Sequence, residues 1–134
     1  MLSRKVLTRL TVAAFAVGAA LTVAPGPAQA QAYTPEGVCG SGYYVQRSYP
    51  LPGARVYQLY NGSSNCVVTI KTSSVGTATR TTASLQVQGR PWSTDTGDYR
   101  YYAGPVKAAA QGKCVRYFGF HGGRNYTSPW GNCG

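Results

Sequence analysis

Four cysteines restrict the fold of this chain more than any other feature: Cys39, Cys66, Cys114 and Cys133. An even number of cysteines in a small exported domain is typical of a disulfide framework. Three pairings are possible, and we prefer Cys39–Cys66 with Cys114–Cys133 because each bond closes a short loop between neighbouring elements. In the chain-entropy treatment each bond would stabilise the fold by about 3 kcal/mol, a large share of the stability of a small domain.

The amino terminus has the features of a cleaved signal peptide. Arg4, Lys5 and Arg9 precede an apolar stretch at residues 10–23, and the sequence PGPAQA ends at Ala30. This stretch is about fourteen residues long, shorter than the roughly twenty that a membrane-spanning helix needs. The sequence therefore predicts cleavage between Ala30 and Gln31, secretion to the exterior and no transmembrane segment.

Removal of residues 1–30 leaves 104 of the 134 residues, enough for one domain with a modest core. This part contains ten basic side chains and three acidic ones, Glu36, Asp95 and Asp98, which gives a net charge of +7. Such a surface favours anionic partners, and export separates the protein from nucleic acid. We therefore expect an anionic wall or spore-coat polymer as the partner, with no nucleic acid. The sequence makes no prediction of an oligomeric state.

The exported part predicts strands separated by turns. Residues 82–88 alternate, with Ala83, Leu85 and Val87 expected to point inward. Residues 43–49, 55–60 and 66–71 are rich in residue types that suit a half-buried sheet. Gly, Pro and Asn clusters predict turns at residues 50–53, 61–65 and 72–76, and residues 89–97 are expected to form a longer loop. Residues 107–110 fit either a strand or a helical turn.

This pattern indicates an all-β protein, a small antiparallel β-sandwich or barrel, with a single domain over residues 39–134. Residues 31–38 are expected to be a loose leader. Because aliphatic residues are few, some tyrosines must enter the core, and Tyr43, Tyr99 and Tyr101 are the expected ones. If Val45 and Tyr101 face inward, then Tyr44 and Tyr102 face solvent.

The residue types that catalysis needs are sparse. Asp95 and Asp98 are the one pair of neighbouring carboxylates, and capping of a turn explains them better than acid–base chemistry. His121 is the single histidine and is expected to be a loop residue. The chain contains no C-x-x-C and no G-x-S-x-G motif. We therefore predict a protein that is not an enzyme and binds neither a metal nor a cofactor.

Six short segments occur in a fixed order along the exported part: CGSGY at 39–43, NCVVTI at 65–70, DY at 98–99, YAGPV at 102–106, GKCV at 112–115 and WGNCG at 130–134. With all four cysteines included, this set resembles the spore-associated protein A family of filamentous actinobacteria. The resemblance implies a small exported protein of aerial hyphae and the spore surface, without an assigned activity. It carries no catalytic residues.

Aromatic and basic residues are the best candidates for a binding surface. Exposed tyrosine, tryptophan and arginine can stack on sugar rings and pair with anions. The predicted surface-binding residues are Tyr44, Arg90, Trp92, Arg100 and Tyr102. They predict a structural or interaction protein retained on a spore, hyphal or wall surface by basic and aromatic contacts.

Two other functions fit parts of the sequence. One is a secreted inhibitor of an extracellular hydrolase that presents residues 88–98, including Trp92, as an exposed loop. The other is a membrane-active protein, which follows from charge alone and lacks a basic amphipathic helix.

Overall fold

The computed structural model describes residues 33–134. The predicted signal peptide and its cleavage site at Ala30 and Gln31 lie outside this part. A short helix, α1 (Pro35–Cys39), begins the described chain, with Thr34 as its N-cap. Eight strands follow: β1 (Tyr44–Leu51), β2 (Ala54–Tyr60), β3 (Ser64–Lys71), β4 (Thr79–Val87), β5 (Ser93–Tyr99), β6 (Tyr102–Ala109), β7 (Val115–His121) and β8 (Arg124–Thr127).

The strands form two antiparallel sheets of four strands each. Sheet A has the order β1-β2-β3-β6, and sheet B has the order β8-β7-β4-β5. Hairpins connect β1 to β3 within sheet A, and the chain then moves to sheet B, returns for β6 and ends in sheet B. The all-β prediction is confirmed, and the sheets pack as a sandwich.

Both preferred disulfides are present. Cys39–Cys66 joins α1 to β3, and Cys114–Cys133 joins the start of β7 to the carboxyl end of the chain. No cysteine remains free among the residues that the structure describes. Each bond holds a terminal segment against the sandwich.

The main core lies between the sheets. Ala83, Leu85 and Val87 point into it as the alternation predicts, and Val56 and Val67 of sheet A meet them. A second cluster lies on the outer side of sheet A beneath α1. Its buried members are Cys39, Leu59, Cys66, Val68 and Ile70. Strand β3 is therefore buried on both faces, which explains its unbroken run of apolar residues.

Several local predictions are wrong. The expected loop at residues 89–97 is largely strand β5, which pairs with β4 from Thr79↔Tyr99 to Leu85↔Ser93. At residues 107–110, where the sequence left a strand and a helical turn open, the strand alternative is confirmed, because residues 107–109 continue β6. His121 ends β7 and lies buried rather than in a loop. The described part of the expected loose leader contains α1, because Cys39 is bonded to β3 and Val38 packs on the second cluster.

The tyrosines also differ from expectation. Tyr117, which is 2% exposed, is the tyrosine buried in the main core. Tyr43 and Tyr99 lie at the edges of the two apolar clusters, and Tyr101 is half-buried. Val45 is exposed and does not point inward, because β1 is an edge strand with a bulge between Val45 and Arg47.

Candidate functional site

The five predicted surface-binding residues lie at three separate places. Tyr44 is exposed at the start of β1 and meets the Tyr60 ring edge-to-face at 6.2 Å. Arg90 and Trp92 lie in the short connection from β4 to β5. Arg100 and Tyr102 flank the connection from β5 to β6. The five residues therefore do not form one continuous surface.

Arg100 and Tyr102 belong to a cluster at the β5–β6 connection. The Tyr33 ring lies 5.3 Å from the Tyr101 ring and 5.0 Å from the Tyr102 ring, between centroids. Arg100 donates through Nη1 to the Gly76 carbonyl at 2.7 Å. This arginine therefore holds the loop after β3 while part of its guanidinium faces solvent.

A buried lysine lies beneath this cluster. The Lys71 ammonium donates to the carbonyls of Thr77 and Tyr99. Burial, together with the nearby Arg100 guanidinium, lowers the pKa of Lys71. With both carbonyls as partners and its surface covered, this lysine is a structural crosslink between the β3 and β5 ends.

The two aspartates have structural partners, and neither caps a turn as predicted. Asp95 lies in β5, where Oδ1 accepts from the Tyr99 hydroxyl and Oδ2 accepts from the Gly104 amide at 2.7 Å. The hydrogen bond to Asp95 is the main cause that raises the pKa of Tyr99. Asp98 forms an exposed ion pair with Arg80 at 3.4 Å. Asp95 therefore ties sheet B to β6 of sheet A, at the point where the pairing of β6 with β3 shifts register between Val67 and Thr69.

His121 also has a partner at each ring nitrogen. Nδ1 lies 2.7 Å from the Pro52 carbonyl oxygen, and Nε2 lies 3.0 Å from Thr79 Oγ1. The side chain is buried. It joins the β1–β2 turn to sheet B, so the arrangement is structural.

The outer face of sheet B carries a groove of about 390 Å³, lined by Thr82, Ser84, Trp92, Thr94, Phe118 and Thr127. We call it the aromatic groove. The register places Ser84 between Thr94 on β5 and Phe118 on β7, and Phe118 next to Thr127 on β8. Side chains of four neighbouring strands therefore converge on one shallow surface.

An arginine lies between two indole rings at the rim of this groove. The guanidinium carbon of Arg116 lies 5.2 Å from the Trp92 ring centroid and 4.5 Å from that of Trp130. Arg116 Nε also donates to Gln86 Oε1 at 2.8 Å. Cation–π contacts of this kind hold the guanidinium in place, and the Arg116 side chain is only partly buried.

Of the predicted residues, only Trp92 contributes to the aromatic groove. Phe118, Arg116 and Trp130 were missed, although the alternation of Val115–His121 carries the signal. Val115, Tyr117 and Gly119 face the core, so Arg116 and Phe118 share the outer face of β7. The face that Arg116 and Phe118 share is the outer side of sheet B, which suits a charged side chain.

Two classes of site are absent from residues 33–134. Within this range no group of three or more His, Cys, Asp or Glu side chains could hold a metal ion. No helix in the same range is long and apolar enough to cross a membrane.

The fold and the groove define a small disulfide-bonded β-sandwich protein with an aromatic, hydroxyl-bearing outer face. The chain is 41% identical over 127 residues to spore-associated protein A from Streptomyces coelicolor, an alignment that covers 89% of this chain and 82% of that protein. The chain therefore belongs to the spore-associated protein A family. No protein-family model matches it, and no solved structure is similar to it.

Proposed function

We propose that this protein is an exported, non-catalytic interaction protein of the spore or hyphal surface, retained there by basic and aromatic contacts with an anionic polymer. The observation that carries the proposal is the unbalanced charge of the described domain. The domain has ten basic side chains and only three carboxylates, and two of these carboxylates, Asp95 and Asp98, already have partners within the domain. The name of the Streptomyces coelicolor relative, which describes that protein as spore-associated, agrees with this location.

The absence of catalysis is supported by how the reactive groups are used. Both carboxylate oxygens of Asp95 and both ring nitrogens of His121 are engaged within the fold. The four cysteines are bonded in pairs. A group that holds two elements together in this way is poorly placed to accept a proton from a substrate.

The inhibitor function loses its main support. Of the proposed exposed loop at residues 88–98, the part from Ser93 onward is strand β5. In the remaining connection the Trp92 ring lies against Phe118 at 6.3 Å, and Arg90 donates to the Ala109 carbonyl. What remains of the proposed loop is a short exposed turn at residues 88–92 whose Arg90 and Trp92 side chains are held against the domain.

The test is the location of the protein in sporulating and vegetative cultures. Surfaces are washed with salt and then with detergent, and the protein is followed by mass spectrometry. We expect retention on the spore or wall fraction, release by salt, and a mass that corresponds to a chain beginning at Gln31 with two disulfides. Protein found wholly in the medium, without affinity for wall preparations, contradicts the proposal.

A matched pair of variants tests the contribution of charge. R90Q/R100Q removes two exposed positive charges, whereas R90K/R100K keeps them. We expect the first variant to elute at lower salt than the wild type and the second to elute with it, because screened attraction depends on net charge. Identical elution of all three proteins would show that these two charges play no part in retention.

A further inference from the structure

Two rows of hydroxyl groups, Thr82 and Ser84 on β4 and Thr94 and Thr96 on β5, run along the aromatic groove, and all but Thr96 line it. Thr82 Oγ1 lies 2.6 Å from Thr96 Oγ1, and Ser84 Oγ donates to Thr94 Oγ1 at 2.9 Å. Each hydroxyl can donate once and accept twice, so each pair keeps a free donor and several acceptor positions. Such a surface can exchange hydrogen bonds with a partner that itself carries many hydroxyls.

Aromatic rings lie directly beside these rows. Phe118 is the cross-strand neighbour of Ser84, and Phe120 that of Thr82. Trp92 meets Phe118 at 6.3 Å with an angle of 71° between the ring planes. All three rings are only partly buried. The groove therefore combines ring surfaces that suit the apolar C–H side of a pyranose with hydroxyls that suit its edge.

The connection that carries Trp92 is held in place. Gln86 donates through Nε2 to the Arg90 carbonyl at 2.9 Å, and Arg90 donates to the Ala109 carbonyl at 3.2 Å. The guanidinium of Arg116 also lies over the Trp92 ring. A preformed ring position lowers the ordering cost of binding.

Other partner classes fit this surface poorly. The groove lies on the face of a sheet, where the backbone groups are paired, so it offers no edge for strand addition. A lipid surface would take the exposed hydroxyls of Thr94 and Thr96 out of water and leave their remaining acceptor positions without partners. A nucleic acid needs repeated phosphate contacts, whereas the residues that line the groove carry no positive charge and Arg116 lies beside it against Trp92.

Arg116 adds a charge requirement. Among residues 33–134 a single ion pair forms, between Arg80 and Asp98. Arg116 therefore has no carboxylate partner within that range. Its Nε donates to Gln86, the side chain is only partly buried, and its terminal nitrogens have no hydrogen-bond partner among residues 33–134. A guanidinium fixed in this way is suited to a carboxylate or a comparable anionic group.

We propose that the aromatic groove binds a segment of an acidic polysaccharide. The sugar rings pack on Trp92 and Phe118, their hydroxyls bond to the two hydroxyl rows, and an anionic substituent pairs with Arg116. This inference rests on the proposed function and names its polymer and its site.

The experiment measures binding of the exported, disulfide-bonded protein to polygalacturonate and to its methyl ester, which has the same sugar backbone without the charge. We expect polygalacturonate to bind more tightly. W92A should weaken binding about five- to tenfold, the effect of losing one aromatic contact. R116Q should narrow the preference for polygalacturonate over the ester, because it removes the charge beside the groove while the other nine basic side chains of the exported part remain. Y49A, which removes an exposed ring on sheet A, is the matched control and should bind as the wild type does.

The proposal is overturned if W92A and R116Q bind as the wild type does. It is also overturned if the wild type binds neither polygalacturonate nor its methyl ester. T94V provides a second measurement if W92A folds poorly, since it removes one hydroxyl of a row at nearly constant volume and should weaken binding to both polymers. If these variants are retained on spore walls as the wild type is, the groove is not the binding site, although the proposed function still holds. If the wild type itself is not retained on the walls, the proposed function is contradicted.

Discussion

At the scale of single residues, the separation of the two sheets depends on Gly119. This residue lies in the middle of β7 and faces Val56 of sheet A. A Cβ atom at this position would lie 2.6 Å from Val56 Cβ and 2.9 Å from its Cγ2. Both atoms belong to Val56, which is fully buried in β2, so the close contact can be relieved only if one sheet moves away from the other.

We expect G119A to lower the free energy of unfolding by about 1–3 kcal/mol, the usual cost of overpacking a core. Denaturant unfolding followed by circular dichroism measures the change. The V56A background is the control, because it removes the two Cγ atoms that would lie 2.9 and 3.0 Å from the new methyl group and keeps the Cβ atom at 2.6 Å. In that background G119A should cost less, and an equal cost in both backgrounds would show that the contacts with the valine methyl groups are not the cause.

A second residue-scale prediction concerns Tyr117. Burial raises the pKa of Tyr117 from its ordinary value near 10 to about 12. Between these values the unfolded chain releases the phenolic proton and the folded chain retains it, so stability falls as the pH rises. Denaturant unfolding at pH 9, 10 and 11 should show this fall, and Y117F should show a shallower one. The raised pKa of Tyr99 acts in the same direction, so the difference between wild type and Y117F isolates Tyr117. Parallel curves would contradict the assignment.

At the scale of elements, the two disulfides differ in how solvent reaches them. Cys39 and Cys66 are each 0% exposed between α1 and sheet A, whereas Cys133 is exposed at the chain end and Cys114 is half-buried. A reductant thiolate must reach a sulfur atom to attack it. The bond to the carboxyl end is therefore the more accessible one.

Under native conditions with increasing dithiothreitol, we expect Cys114 and Cys133 to be reduced first. Alkylation followed by peptide mass spectrometry identifies the pair. In denaturant, where burial is lost, both pairs should react at similar rates, which provides the control. Earlier alkylation of Cys39 and Cys66 in the folded protein would show that α1 opens more readily than the chain end.

Strands β4 and β5 show what the sequence could and could not predict. Residues 82–88 alternate apolar and polar side chains, and this pattern alone placed Ala83, Leu85 and Val87 in the core. Strand β5 reads STDTGDY and has no apolar alternation. It is an edge strand whose outward hydroxyls bond to β4 and whose inward Asp95 bonds to β6. Those partners lie on other strands, ten and nine positions away, so the side-chain pattern within β5 does not reveal the strand.

The aromatic groove was only partly predictable for the same reason. Trp92 could be chosen by residue type and Phe118 by the alternation of β7. Their proximity depends on the order β7-β4-β5 within sheet B, which follows from strand pairing across 20 or more positions, as in Ser84↔Phe118. The arrangement of Arg116 between two indoles further requires the chain end to return beside β7.

At the scale of the whole molecule, the chain end closes one side of the sandwich. Gly131 and Val115 exchange backbone hydrogen bonds at 2.8 Å, and Asn132 donates to Asn65 Oδ1 of sheet A at 2.7 Å. Arg47 of β1 spans the gap, donating to the carbonyls of Pro129 at 3.0 Å and Val115 at 3.3 Å. This closure also positions Trp130 beside Arg116, so the stability of the sandwich and the rim of the groove are linked.

This link predicts that a change in sheet A alters a ring beside sheet B. We expect R47M to lower the free energy of unfolding by about 1.5–3 kcal/mol, the range for hydrogen bonds to a charged group. In a W92F background, where Trp130 is the single tryptophan, R47M should also increase acrylamide quenching of the fluorescence. R55M is the matched control, because Arg55 donates only to Ser48 Oγ within sheet A. It should leave the quenching unchanged. Equal quenching in R47M and R55M would mean that the Cys114–Cys133 bond and the Gly131 backbone pair hold Trp130 without help from Arg47.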